Sequence, residues 1–279
     1  MNNSLAINDF TGNKVSNFYY SFLFLPKPKR DAINLVYAWC RATDDIVDSN
    51  NSIVTKESKL ITWANEFEKG LFGNSSYQII NKLGEIILKF NIPVEHFRNL
   101  IDGMKMDLTK NRYETFEELL DYCYKVASTV GLISAEIFSY KNKTTLEYAK
   151  NLGFALQLTN ILRDVKSDIL KDRIYLPLED LKKFNICEEE IKENVFSQNF
   201  KNLMIFEANR TEDYFKNALK NLKSEDKIFF VAAEIMRKTY LEILYLIKKN
   251  DYDVFKNKNK LTTSKKISIA LNTWIEIKK

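Results

Sequence analysis

Apolar residues recur three and four positions apart along nearly the whole chain, and that period marks nine helical segments. They run over roughly 28–48, 56–70, 76–90, 94–108, 115–139, 144–168, 199–222, 226–249 and 263–278. Breakers are scarce: seven Gly and four Pro, the latter at Pro26, Pro28, Pro93 and Pro177, leave long stretches uninterrupted. The pattern predicts an all-α protein. One stretch departs from it, Asp172 to Ile186, where Pro177 disfavours helical geometry at Leu176 and the residues before it suit an extended piece. No repeat, low-complexity tract or Ser/Pro-rich linker divides the chain, so residues 1–279 are read as a single helical domain.

Two of the predicted helices carry a polar stripe in apolar company. In "YAWCRATDDIVDS" the residues Tyr37, Arg41, Asp44 and Asp48 fall on one helical face, with Leu35, Val36, Trp39, Ile46 and Val47 around them. Carboxylates one turn apart repel by ~0.2–0.5 kcal/mol in water, and by more where water is withdrawn, so a cationic partner is expected. The second stripe lies in "LGFALQLTNILRDVKSDILKDRIYLP", where Gln157, Asn160, Asp164 and Asp168 stand at offsets of three, four and four. A polar line inside an apolar helix points to an internal cavity. A single DxxxD is weak evidence. Two of them facing one cavity suit Mg²⁺, a hard cation that takes oxygen ligands from one or two carboxylates together with substrate phosphates.

Composition narrows the field further. Hydrophobic residues make up 45% of the chain, ample for a packed core. The net charge of +5 is mild and its bases are scattered, which argues against a nucleic-acid partner. The basic run from Lys256 to Lys266 is read as a solvated loop, with a diphosphate contact or attraction to anionic headgroups as the sharper alternatives. Cys40, Cys123 and Cys187 are odd in number and widely spaced, and they read as reduced core thiols. His96 is the sole histidine, which removes His-based triads and multi-histidine metal sites. No signal peptide or ~20-residue apolar span is evident, so the expected location is cytoplasmic, with peripheral membrane contact as a route for product release.

The two acidic stretches resemble the signature regions of the squalene/phytoene synthases, the head-to-head prenyl transferases. "SNFYYSFLFLPKPKRDAI", "LIDGMKMDL" and "YCYKVASTVG" extend the likeness over nearly the whole chain. The resemblance implies a helical bundle around a deep pocket, with the acidic motifs facing each other at its mouth. It implies Mg²⁺ held by Asp44, Asp48, Asn160, Asp164 and Asp168, and diphosphate contacts from Arg41 and Arg163. By the same likeness Gln157 lines the adjacent polar zone, Tyr37, Tyr122, Tyr175 and Tyr240 stand near the substrates with Tyr122 counted among the catalytic groups, and Phe18 belongs to the substrate site.

Ionising an allylic diphosphate creates a carbocation that needs a dry cavity and is stabilised by aromatic faces, for which Phe18, Phe22, Tyr37 and Tyr240 are candidates. The small residues Ala127, Ser128, Gly131, Ser134 and Ala135 are read either as close helix packing or as the wall of a prenyl tunnel. The chain departs from many relatives at Lys14, where a His is common, and at Asn257 and Lys258, where some carry Arg. The leading expectation is condensation of two farnesyl diphosphates to presqualene diphosphate and onward to a squalene-type C30 product. NADPH is required only if that product is squalene. The alternatives are phytoene synthesis from two C20 substrates, and a non-catalytic assembly protein of the same fold; other enzymes of isoprenoid synthesis are the expected protein partners.

Overall fold

The computed structural model describes residues 19–256 and 259–278. A short helix α1 (Tyr19–Phe22) leads into α2 (Lys27–Asp48), which begins where Pro28 suits a first helical turn and carries the first acidic stripe. Three helices follow: α3 (Ile53–Gly70), capped by the Ser52 hydroxyl, α4 (Gln78–Phe90), and α5 (Glu95–Thr109). Next come α6 (Phe116–Cys123), α7 (Thr129–Phe138) and the long α8 (Thr144–Ile169), which carries the second stripe. The remainder comprises α9 (Leu178–Lys183), α10 (Glu188–Lys192), α11 (Gln198–Asn221), α12 (Ser224–Lys227), α13 (Val231–Lys249) and α14 (Thr263–Lys278). The central element is α8, which packs against α7, α11 and α13.

The predicted helices are present, with differences that have local causes. The segment predicted as one helix over 115–139 is interrupted by a π-helical turn at Tyr124–Ser128. Close packing fits this turn into place. A Cβ on Gly153 of α8 would stand 2.5 Å from the Ser128 backbone, and one on Gly131 would stand 2.6 Å from the Ala149 carbonyl oxygen. The extra residue also corrects the helical phase. At about 100° per residue, an unbroken α-helix would turn Phe138 about 160° away from Tyr122. With one residue absorbed in the π turn the difference is about 60°, so Tyr122, Ala127, Val130, Ser134 and Phe138 share one side.

The Asp172–Ile186 stretch is extended only around the isolated bridge Arg112–Ile174, where the Ile174 amide donates to Asn111 at 3.0 Å; after Pro177 it turns into α9. The 226–249 segment is likewise divided, into α12 and α13. Cys123 is a buried thiol and Cys40 a half-buried one, but Cys187 is exposed at the start of α10, so the core reading fails for that cysteine. Among the described residues no helix is long and apolar enough to cross a membrane.

Candidate active site

An apolar cavity of about 280 Å³ runs between α2, α7, α8 and α13. Tyr37 and Cys40 of α2 line it just below the first acidic pair; Gln157 and Asn160 of α8 line it just below the second. Tyr240 stands at the same end, and Phe22 closes part of the side. The small residues divide between the two readings: Ala127, Gly131 and Ser134 line the cavity, whereas Ser128 and Ala135 are fully buried in packing.

The opposite end has an aromatic floor. The Phe230 ring meets Phe138 and Tyr148 edge-on, at 5.7 and 5.6 Å between centroids. The Tyr148 hydroxyl donates to Glu234 at 2.9 Å, and Glu234 is paired with Arg237 at 2.8 Å, so the floor is fixed from below by a buried ionic network.

The mouth is electrostatically unusual. Three helices, α2, α5 and α8, end there, and each brings carboxylates in or near its last turn: Asp44 and Asp48, Asp107, and Asp164 and Asp168. Helix C-termini carry partial negative charge, so acids there are locally unfavourable and together create a field that attracts cations. In the chain by itself its own bases occupy that field. Lys171 donates to both Asp48 oxygens at 3.0 Å, and Arg173 lies 3.7 Å from the same carboxylate. Arg41 pairs with Asp44 at 3.4 Å and with Asp45 at 3.2 Å, and Arg163 forms a bidentate pair with Asp164.

These cations do not fully offset the crowding. Burial, and then the neighbouring Asp48, push Asp44 up to about 6 against the partial relief of Arg41. Burial and Asp164 push Asp168 up to about 7, with Arg173 and Lys171 opposing. Arg163 also bonds Tyr240. Lys266 of α14 is half-buried, and its ammonium is lowered by burial and by the nearby charges of Arg163 and Lys260. The end of the basic run therefore lies beside the second motif, an arrangement the solvated-loop reading does not account for.

Oxygen donors suited to Mg²⁺ are present. The Asn160 Oδ1 is buried and has no hydrogen-bond partner, at the head of a mostly apolar cavity. Among the described residues no three acidic or cysteine side chains already form a cage.

Not every expected residue lines the cavity. Tyr122 and Tyr175 lie behind the mouth, where both hydroxyls donate to Asp107, at 3.1 and 2.9 Å. Phe18, Lys14, Asn257 and Lys258 lie outside the described residues. Sequence reasoning missed Asp107, Lys171 and Arg173; the signal available for Asp107 was an acid in the last turn of an otherwise apolar helix end, where the dipole disfavours it.

The 15-cis-phytoene synthase of Synechococcus elongatus is 35% identical over 271 residues, covering 92% of this chain and 87% of that protein. That of Synechocystis is 36% identical, covering 95% and 82%. The crystal structure of a dehydrosqualene synthase in complex with ligand superposes with a TM-score of 0.85 at 28% identity, over 98% of this chain and 95% of the other. A squalene synthase from Alicyclobacillus acidocaldarius superposes at 0.80 with 25% identity, over 88% and 93%. The match to the squalene/phytoene synthase family model runs from residue 12 to residue 265, through both acidic helices and the wall between them, and the chain belongs to that family.

Proposed function

We propose that the protein condenses two geranylgeranyl diphosphates head to head into phytoene. The chain is a prenyltransferase of the head-to-head type; the choice of C20 over C15 is carried by the length of the cavity. On α8 the lining residues run from Tyr148 at the floor to Asn160 at the mouth, which is about 18 Å at a rise of ~1.5 Å per residue. An extended chain advances ~3.5 Å per three bonds. The main chain of a geranylgeranyl group, about fifteen bonds, then spans ~18 Å, and that of a farnesyl group, about eleven bonds, ~13 Å. The longer tail reaches from the acidic mouth to the aromatic floor; the shorter one leaves the lower cavity unfilled. The phytoene synthases at 35% and 36% identity support the same choice, and this reading replaces the C30 expectation.

Asp44, Asp48, Asn160, Asp164 and Asp168 would hold Mg²⁺, which when bound neutralises negative charge on the departing diphosphate. Lys266 and Lys260 supply positive charge to its oxygens, and Arg41, Arg163, Lys171 and Arg173 are available once released from the carboxylates they now hold. Below the mouth the apolar walls exclude water, so a carbocation meets hydrocarbon, aromatic faces and the oxygens of Gln157 and Asn160. Two C20 groups joining to phytoene lose two diphosphates and two protons overall, so no hydride donor enters and NADPH has no role in this product.

Product analysis by mass spectrometry tests the reading: purified protein, Mg²⁺ and geranylgeranyl or farnesyl diphosphate in separate incubations, each with and without NADPH. Phytoene from the C20 substrate is expected regardless of NADPH. Efficient C30 formation from farnesyl diphosphate, with no C40 product, would overturn it.

A further inference from the structure

Asp107 sits at the end of α5, outside the cavity lining and outside the set of residues expected to bind metal or diphosphate. Its two oxygens are both committed, one to the Tyr122 hydroxyl at 3.1 Å and the other to the Tyr175 hydroxyl at 2.9 Å. The two phenol rings stack at 5.3 Å, and the Tyr113 ring packs on both at 5.4 and 5.8 Å, so neither tyrosine has freedom to swing away. The Asp107 main-chain carbonyl accepts from Arg173 at 3.1 Å, and the same guanidinium reaches Asp48 at 3.7 Å. This ties the end of α5 to the first acidic pair. Asp107 is also close enough to Asp44 and Asp168 for its charge to be felt at both.

We propose that Asp107 is a positioning residue for the condensation, one that sets the direction of the Tyr122 and Tyr175 hydroxyl dipoles beneath the acidic mouth. This rests on the reading of the protein as a head-to-head condensing enzyme, whatever the length of its substrate. Burial raises the Asp107 carboxyl, while Arg173 and the two phenol hydrogen bonds oppose this and favour its ionised form, which only accepts. The Tyr122 and Tyr175 oxygens also stand 3.4 Å apart, and with both protons drawn to the shorter Asp107 contacts they turn lone pairs to each other and to their other neighbours. The pair then carries fixed partial negative charge on the side away from Asp107; from behind the mouth it favours a developing carbocation through its field rather than by contact, and supplies no proton to it. An amide in the same place changes this without changing shape. Its NH₂ group must donate, and one of the two hydroxyls is forced to reverse.

The test compares Asp107→Asn with the double variant Tyr122→Phe/Tyr175→Phe and with all three changes combined, using whichever prenyl diphosphate the wild type turns over. Asp107→Asn is expected to lower kcat on the order of 10–100-fold, the range seen when a partner that orients an active-site group is changed. KM should stay within about twofold, and the substitution should have no further effect once both hydroxyls are gone. A purely structural role would raise KM, lower the melting temperature and add to the double variant. A second readout needs no turnover. With 3-fluorotyrosine incorporated, the ¹⁹F resonances of Tyr122 and Tyr175 in ligand-free protein should shift in Asp107→Asn while those of distant tyrosines stay fixed. Wild-type kcat in Asp107→Asn, an equal loss in the double-variant background, or unmoved resonances would each overturn the proposal. Failure of the C20 assignment would show instead as a wild-type preference for farnesyl diphosphate.

Discussion

Replacing Asp168 by Asn should make the metal-free protein more stable at alkaline pH, the opposite of what removing a salt-bridged carboxylate usually does. In the folded chain Asp168 is pushed from an ordinary 3.8 up to about 7, first by burial and next by Asp164. The charged form is therefore disfavoured by folding. The penalty is fully present above about pH 7 and is lifted as the pH falls through 7 towards 4. A difference of about three pH units corresponds to ~4 kcal/mol. Asp168 is only half-buried, and screening by water reduces this to about 2 kcal/mol.

At roughly 2–4 °C per kcal/mol for a chain of this size, Asp168→Asn should melt about 4–8 °C above wild type at pH 8 in EDTA. The gap should shrink to less than half by pH 5 and close near pH 4. Glu207, which burial and Asp180 push up to about 8 against the relief of Arg210, adds a pH dependence of the same sign. It is common to both proteins and cancels in the difference. Excess Mg²⁺ should reverse the order by stabilising wild type more than the variant. The reasoning fails if the variant melts below wild type at pH 8 in EDTA, or if the gap is the same at both pH values.

Asp44→Asn and Asp164→Asn should each cut turnover by about a thousandfold while the helical circular dichroism is unchanged, since each removes charge at the mouth with little change in volume; near-normal rates would remove these residues from the metal site. Ala127→Phe places a ring in the cavity that Ala127 lines and should abolish C20 turnover and weaken C15 binding in competition; unaltered C20 kinetics would place Ala127 outside the tail path. Gly153→Ala should lower stability by about 1–3 kcal/mol in urea titrations, because its new Cβ stands 2.5 Å from the Ser128 backbone.

Much of this arrangement was legible in the sequence because helical period is a local property. The stripes Tyr37–Arg41–Asp44–Asp48 and Gln157–Asn160–Asp164–Asp168 follow from spacing alone, and both meet one cavity. What spacing could not give was how separate helices meet. Lys171 and Arg173 read as ordinary bases in a loop, and only the approach of α2 to α8 puts them against Asp48. Asp107 is one of three acids on its helix, with nothing to single it out until Tyr122 and Tyr175 arrive from two other elements. The π turn was invisible for a different reason: the Tyr124–Ser128 sequence is compatible with an α-helix, and close packing against Gly153 accompanies the extra residue.

That turn makes the sign of a length change matter as much as its size. Delete one residue between Tyr124 and Ser128 and the helix could run straight, with Tyr122 and Phe138 fifteen residues apart and still about 60° from each other around the axis. Add a residue, with no second turn to absorb it, and everything beyond rotates by about 100°. The mouth and the tunnel would each be intact, mounted out of register on one rod. A single deletion here should therefore be tolerated, whereas a single insertion should disconnect ionisation at the mouth from the tail held below it.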